Sequence, residues 1–246
     1  MSCRKHRIPR LFVDRDLDSA TLPLDEGEAH YLGHVLRLQR GDELIAFNGR
    51  GEERHALVSA LQRRGAVLEL RAEHAALPES PFALTLVQAL PKADAMDMIV
   101  QKATELGARA IVPVYAEFSV VRIEGERLDR RIEHWRRIAQ SACEQSGRHA
   151  PPKILVPMSL KEGLRDLPAD EAKVALDPTA HERFTSAPVA RGLVVAVGPE
   201  GGFGSLDWRH LDAAGFTRVT LGSRVLRAET AAVTACAIAQ AQWGDL

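Results

Sequence analysis

The sequence predicts an α/β doubly wound domain preceded by a small β-barrel carrying one helix. Three observations support this. Residues 11–74 read as short strands with one helical interruption, and after residue 81 apolar strands alternate with amphipathic helices. Between the two parts lies LPESP (77–81), a polar, proline-bounded stretch that serves as a linker. The expected domains are therefore 1–76 and 81–246.

The first part is built from a hairpin and a further strand. Leu44–Phe47 forms one arm, Asn48-Gly49-Arg50-Gly51 the turn, and His55–Leu61 the return. AVLELRAEH (66–74) alternates apolar and polar residues with period two. GEAHYLGHVLRL (27–38) reads as a helix with Tyr31, Leu32, Val35 and Leu36 on one face.

The second part opens with the buried strand PFALTLVQALP (81–91). A helix over 94–106 follows, with Met96, Ile99, Val100, Ala103 and Leu106 inward and Gly107 as its stop. AIVPVYA (110–116) is a strand, and 127–146 a long helix with Leu128, Ile132, Trp135, Ala139 and Ala142 on one stripe. KVALD (173–177) and LVVAV (193–197) are near-continuous apolar runs, as strands of a sheet covered on both faces should be. Leu206–Ala214 is a helix ended by Gly215, RVTLG (218–222) the last strand, and 229–243 the last helix.

Composition excludes several classes. Hydrophobic residues make up 46% and charged residues 26%, an ordinary balance for a packed core. No apolar run reaches the ~18–20 residues of a membrane span. The basic start MSCRKHRIPR has no apolar stretch behind it, which speaks against a secretory signal. Cys3, Cys143 and Cys236 lack zinc spacing, so reduced thiols in a cytoplasmic protein are expected. The net charge of -1 argues against a general polyanion binder, so contact with nucleic acid requires a local basic patch. His30 and His34 have metal-compatible spacing but no third ligand in the sequence pattern, and no metal is expected.

Two glycine loops carry the chemistry. GPEGGFG (198–204) follows LVVAV, and LGSRVLRAET (221–230) includes the end of the strand RVTLG. In open α/β sheets ligands bind beyond the carboxyl ends of the strands, where these loops lie. Glycine lets backbone bend there and approach a ligand closely. Neither loop is a P-loop or a G-x-G-x-x-G fingerprint.

Together these loops resemble the signature of the ribosomal RNA small subunit methyltransferase E family, a branch of the SPOUT superfamily. The resemblance extends to RIPRLF (7–12), HVLRLQRGDEL (34–44), KADAMDMIVQKATELGA (92–108) and HWRRIAQSACEQSGR (134–148). It implies methylation of N3 of a uridine in 16S rRNA with S-adenosylmethionine as cofactor. It also implies a C-terminal trefoil knot, a PUA-like RNA-binding barrel and a homodimer. Three positions depart from the family pattern: Gly204 where serine is usual, Asp207 where glutamate is common, and Phe118 where arginine is usual. Ser205 is then the candidate N-cap of the helix after the first loop.

By the same resemblance the cofactor would contact Leu176, Val197, Gly198, Pro199, Glu200, Gly201, Leu221, Gly222, Ser223, Val225, Leu226 and Thr230. Arg227 is the candidate to stabilise a uracil anion, with Glu229 or Glu200 as base. An acid at position 229 also fits a helix N-terminus without any catalytic task. Arg7, Arg10, Arg37, Arg148 and Arg224 are the RNA-contact candidates. Arg130, Arg131, Arg136 and Arg137 read as a solvated helix face interleaved with Asp129 and Glu133. Two alternatives stay open: another SPOUT RNA methyltransferase acting on a ribose hydroxyl or a tRNA base, and a non-catalytic RNA-binding ribosome assembly factor.

Overall fold

A computed structural model describes residues 8–92, 94–187 and 191–246. They form two compact units. One comprises residues up to Pro78 together with Cys143–Ala150, the other Glu79–Ala142 with Pro151–Leu246. Among the described residues no helix is long and apolar enough to cross a membrane.

The first unit is a five-stranded sheet: β1 (Arg10–Phe12), β2 (Thr21–Leu24), β3 (Glu43–Phe47), β4 (Glu53–Gln62) and β5 (Gly65–Glu73), in the order β1-β3-β4-β5-β2. Only β1 and β3 run parallel. Period-two alternation places Ala66, Leu68 and Leu70 inside with Glu69 and Arg71 outside. The β3–β4 turn is shaped by Asn48, whose Oδ1 accepts from the backbone N–H groups of Arg50 and Glu52, and by Gly49 and Gly51 at φ 72° and 101°. No ladder joins β1 to β2 among the described residues, so backbone hydrogen bonds do not close the expected barrel.

The helix of this unit departs from its expected single face. α1 (Glu26–His30) starts with a reciprocal cap between Asp25 and Glu28. It then loosens into a π turn over Tyr31–Val35, where Leu36 N–H donates to the Tyr31 carbonyl. The extra residue in that turn rotates Val35 out to 57% exposure, while Leu32 stays fully buried. Arg37 ends the segment at φ 57°, in the place glycine usually holds.

The second unit is a parallel sheet in the order β12-β10-β11-β6-β7-β8, with β9 also paired to β7. Its strands are β6 (Ala83–Ala89), β7 (Ala110–Tyr115), β8 (Lys153–Ile154), β9 (Met158–Ser159), β10 (Ala172–Leu176), β11 (Gly192–Val197) and β12 (Thr217–Val219). The helices are α2 (Ala95–Glu105), α3 (Glu126–Ser146), α4 (Leu160–Gly163), α5 (Ser205–Ala213) and α6 (Ala228–Trp243). Alternate residues of one strand feed opposite cores. Leu193, Val195 and Val197 pack with Ile99, Trp135 and Ala235, while Val194 and Ala196 pack with Leu160 and Leu211. Both faces are dry, which explains the unbroken apolar runs. Three arginines of α3 lie beside acids: Arg130 with Glu126, Arg131 with Asp94 and Asp97, Arg137 with Glu133.

Candidate active site

Parallel register brings the carboxyl ends of β10, β11 and β12 to one edge, pairing Leu176 with Val219 and Ala175 with Ala196. The connections that follow open there together. They enclose a cavity of about 310 Å³, within the range of small-molecule pockets.

The connection after β11 is a tight arch. Gly202 N–H donates to the Pro199 carbonyl at 2.8 Å, and Gly202 takes φ 73°. A Cβ at Gly198 would sit 3.0 Å from the carbonyl carbon of Gly202, so a side chain there would push the arch open. Glu200 ties it down, its Oε1 accepting from the backbone N–H of Lys92 at 2.8 Å.

The far end of the arch is held by two acids. Asp207, only 4% exposed, accepts through Oδ2 from the backbone N–H groups of Gly204 (3.0 Å) and Glu117 (2.9 Å). Glu117 in turn accepts from Leu206 N–H at 3.1 Å. The expectation that Ser205 caps α5 is therefore corrected. Gly204 stands at the N-cap without a side chain, and Glu117, from the loop after β7, supplies the capping oxygen instead. Phe118 packs beside Gly201 and stays half exposed.

The connection after β12 turns at Gly222, φ 130°. The Thr220 hydroxyl accepts from Gly222 N–H and donates to its carbonyl. Arg227 is the N-cap residue of α6, in extended conformation, and its carbonyl accepts from Ala231 N–H.

Of the residues expected around a ligand, Leu176, Val197, Gly198, Pro199, Glu200, Leu221, Val225 and Leu226 line the cavity, as do Arg224 and Arg227. Gly201, Gly222, Ser223 and Thr230 do not. Nor does Glu229. Ala228 and Ala231 are three apart on the cavity side of α6, and helical rotation carries Glu229 and Thr230 off that face. Gly202, in the first glycine loop, also lines the cavity, and the sequence reading missed Asp177, Pro178, Thr220, Ala228 and Ala231. Asp177 was legible as the polar end of KVALD. Ala231 needed the helix phase, which an alanine-rich stretch does not reveal.

The RNA-contact candidates separate. Arg7 lies outside the described residues. Arg10 is buried, and this corrects its expected place on the surface. Its guanidinium spans both oxygens of Glu53 (2.9 and 2.6 Å), reaches the Arg148 carbonyl and lies 4.4 Å from the centre of the Phe47 ring. Arg148 is half-buried, whereas Arg37 and Arg224 are exposed. His30 and His34 stack with ring centres 4.4 Å apart, and among the described residues no group of three metal-binding side chains forms.

The residues present suit S-adenosylmethionine. Leucine, valine, proline and alanine side chains provide an apolar bed. Asp177, Glu200, Thr220 and the cavity arginines offer polar contacts. A Cβ placed at Gly202 would meet nothing within 4 Å, so the arch leaves open space there.

Comparison with known proteins agrees with this geometry. A family model described as an RNA methyltransferase domain matches residues 78–240, and one described as an RNA methyltransferase PUA domain matches residues 24–71. The chain is 33% identical to ribosomal RNA small subunit methyltransferase E of Synechocystis, over 89% of this chain and 72% of that one. A crystal structure of ribosomal RNA small subunit methyltransferase E from Neisseria gonorrhoeae, bound to S-adenosyl methionine, superimposes with a TM-score of 0.89. The two chains are 34% identical, covering 98% of this chain and 100% of the other. A Legionella pneumophila chain described as a methyltransferase, in complex with the same cofactor, gives a TM-score of 0.92 at 32% identity, with 98% and 100% covered.

Proposed function

The chain belongs to the RNA methyltransferase family that includes ribosomal RNA small subunit methyltransferase E, and we propose that its target is N3 of a uridine in 16S rRNA. It is an S-adenosylmethionine-dependent methyltransferase of small-subunit ribosomal RNA. The observation that carries this is the shared cavity of the two glycine loops, with Arg227 in its wall.

When bound, S-adenosylmethionine supplies an electrophilic methyl group on a sulfonium. The protein must bring the nucleophile into line with it, and positioning of this kind contributes ~7–11 kcal/mol. The apolar bed and the arch at Gly198–Gly202 hold the donor, with the backbone around Leu221, Val225 and Leu226 closing the other side. Gly201, Gly222, Ser223 and Thr230 then support that backbone from outside the lining.

Uracil N3 carries a proton and is a weak nucleophile at neutral pH. Arg227 offsets this by stabilising negative charge on a uracil carbonyl oxygen, and Arg224 binds the neighbouring phosphate. Glu200 is better placed than Glu229 to accept the proton, because Glu200 lines the cavity and Glu229 does not. The loops belong to a trefoil-knotted C-terminal segment, and the enzyme works in the cytoplasm as a homodimer.

Small subunits from a strain lacking the enzyme provide the test. Incubation with wild-type protein and cofactor should produce 3-methyluridine in 16S rRNA, read by mass spectrometry of nucleosides. A new 2'-O-methyl group instead would favour the ribose-methylating alternative. Absence of cofactor binding by calorimetry would favour the assembly factor. Arg227→Ala should lower the rate about 10²–10³-fold while cofactor affinity changes little.

A further inference from the structure

Phe118 stands in the turn after β7, where hydrogen bonds fix the backbone on both sides of it. Ser119 N–H donates to the Ala116 carbonyl at 3.0 Å and closes a β-turn whose third residue is Phe118. Ala116 N–H donates to the Ser119 hydroxyl at 3.1 Å, and Glu117 N–H to the buried Asp207 carboxylate at 2.9 Å. The turn is thus held in place, yet the aromatic residue it carries is 50% exposed.

The glycine arch makes room for this side chain. Gly201 does not line the cavity and has no positive φ, so neither a ligand nor the backbone explains its missing side chain. A Cβ there would lie 3.1 Å from the Phe118 Cβ and 3.5–3.6 Å from two atoms of the ring. Phe118 is therefore seated against the outer side of the arch whose other residues, Gly198, Pro199, Glu200 and Gly202, line the cavity.

The surroundings of the ring are apolar and cationic. Val225, 81% exposed, lines the cavity, and Leu206, 46% exposed, donates its backbone N–H to the carboxylate of Glu117, the neighbour of Phe118. Single exposed apolar residues are ordinary, whereas three around one ligand cavity form a rim. Arg224 and Arg227 line the same cavity, are exposed, and have no ion pair among the described residues. A rim of three residues is too small for a stable protein partner, which needs about 800 Å² from each side. An aromatic ring beside guanidinium groups suits single-stranded nucleic acid, with a stacking surface for a base and charge for the phosphates.

We propose that Phe118 is the stacking platform for the base of a nucleotide that flanks the target in the substrate RNA. The ring adjoins a residue outside the cavity lining, so it meets a neighbour of the target base rather than the base that enters the cavity. Stacking tolerates any base. Phe118 therefore holds the strand at the mouth of the cavity without selecting the target. The inference rests on the methyltransferase reading for its ligand, but not on which atom of the target receives the methyl group.

The test methylates small subunits from a strain lacking the enzyme, with tritiated S-adenosylmethionine, at varied subunit and salt concentrations. Phe118→Leu keeps an apolar contact with Gly201 and removes the ring. Its KM for subunits should rise about tenfold, the loss expected for one base stack, while kcat changes little. Phe118→Trp should restore the wild-type KM. The salt slope, log KM against log salt, should match the wild type in both variants, because a neutral ring displaces no counterions. Cofactor affinity by calorimetry and melting temperature should stay at wild-type values in the leucine variant. A wild-type KM in that variant would overturn the platform, and continued methylation of subunits would leave the methyltransferase reading standing. An equal rise in KM for the leucine and tryptophan variants would also overturn it, by assigning the ring to packing alone. A changed sedimentation coefficient of the leucine variant would do the same, by placing the ring in a contact between protein chains. If the wild-type protein transfers no methyl group to the subunits, both readings fall.

Discussion

Glu117 and Gly204 share one space. A Cβ at position 204 would run into the Glu117 carboxylate, the group that caps α5 from another loop. Replacing either residue alone should destabilise the protein, Glu117→Ala by about 1 kcal/mol through the lost cap. Combining Glu117→Ala with Gly204→Ser should recover stability, since serine then caps its own helix. A double-mutant cycle by urea denaturation measures this as a coupling of about 1 kcal/mol, and additivity would refute the shared role. Arg10 gives a second contrast. As half of a buried pair it should cost ~3–5 kcal/mol when changed to alanine, because the buried Glu53 carboxylate loses its guanidinium partner. An RNA contact at Arg10 would instead lower the salt slope with little change in melting temperature. Neither pairing was legible in the sequence, for Glu53 and Glu117 are brought in by register and topology rather than by local spacing.

The two connections at the sheet edge differ in what each glycine does, and this separates their variants. Gly198→Ala meets backbone atoms at 3.0–3.2 Å and must spread the arch. It should raise the dissociation constant for S-adenosylmethionine at least tenfold by calorimetry. Gly202→Ala meets no atom and suffers only from its positive φ, a cost of about 1–3 kcal/mol in stability. Long, strongly patterned elements were readable in advance: α2, α3, α5 and α6, and the apolar strands β6, β10 and β11. The π turn was not, because a heptad-like apolar stripe looks the same whether or not one turn holds an extra residue. Two-residue strands such as β8 and β9 have no period to detect. Around the cavity, motif residues gave the strand ends correctly. Which faces of α6 look inward depends on helix phase, and that leaves Glu229 and Thr230 outside the cavity lining.

For the molecule as a whole, one buried carboxyl ties stability to pH. Burial raises the Glu144 pKa above the ordinary carboxylate value, partly offset by hydrogen bonds from Phe12 N–H and the Tyr31 hydroxyl and by the Arg10 charge. A carboxyl whose folded pKa exceeds its unfolded value holds its proton more tightly in the folded chain. Its stabilising contribution is complete below about pH 4.3, the unfolded value, and is lost as pH rises through the folded value. Glu144→Gln removes this titration. Its amide can accept from Phe12 and donate to the Tyr31 oxygen. Melting temperatures between pH 4 and 7 should therefore fall less steeply with rising pH in the variant than in the wild type. Equal slopes would show that Glu144 keeps its ordinary pKa.

Glu144 also belongs to a stretch the sequence assigned elsewhere. The two units meet in sequence at Pro78 and Glu79, yet Cys143–Ala150, at the end of α3 and beyond, is grouped with the first unit. The amino-terminal fold is therefore not a contiguous stretch of chain. During synthesis its strands leave the ribosome well before the carboxylate that receives Phe12 and Tyr31. They must wait, incompletely satisfied, until the polypeptide has grown past residue 150. A nascent chain stalled at the linker should remain protease-sensitive, and protection should come only with the later segment.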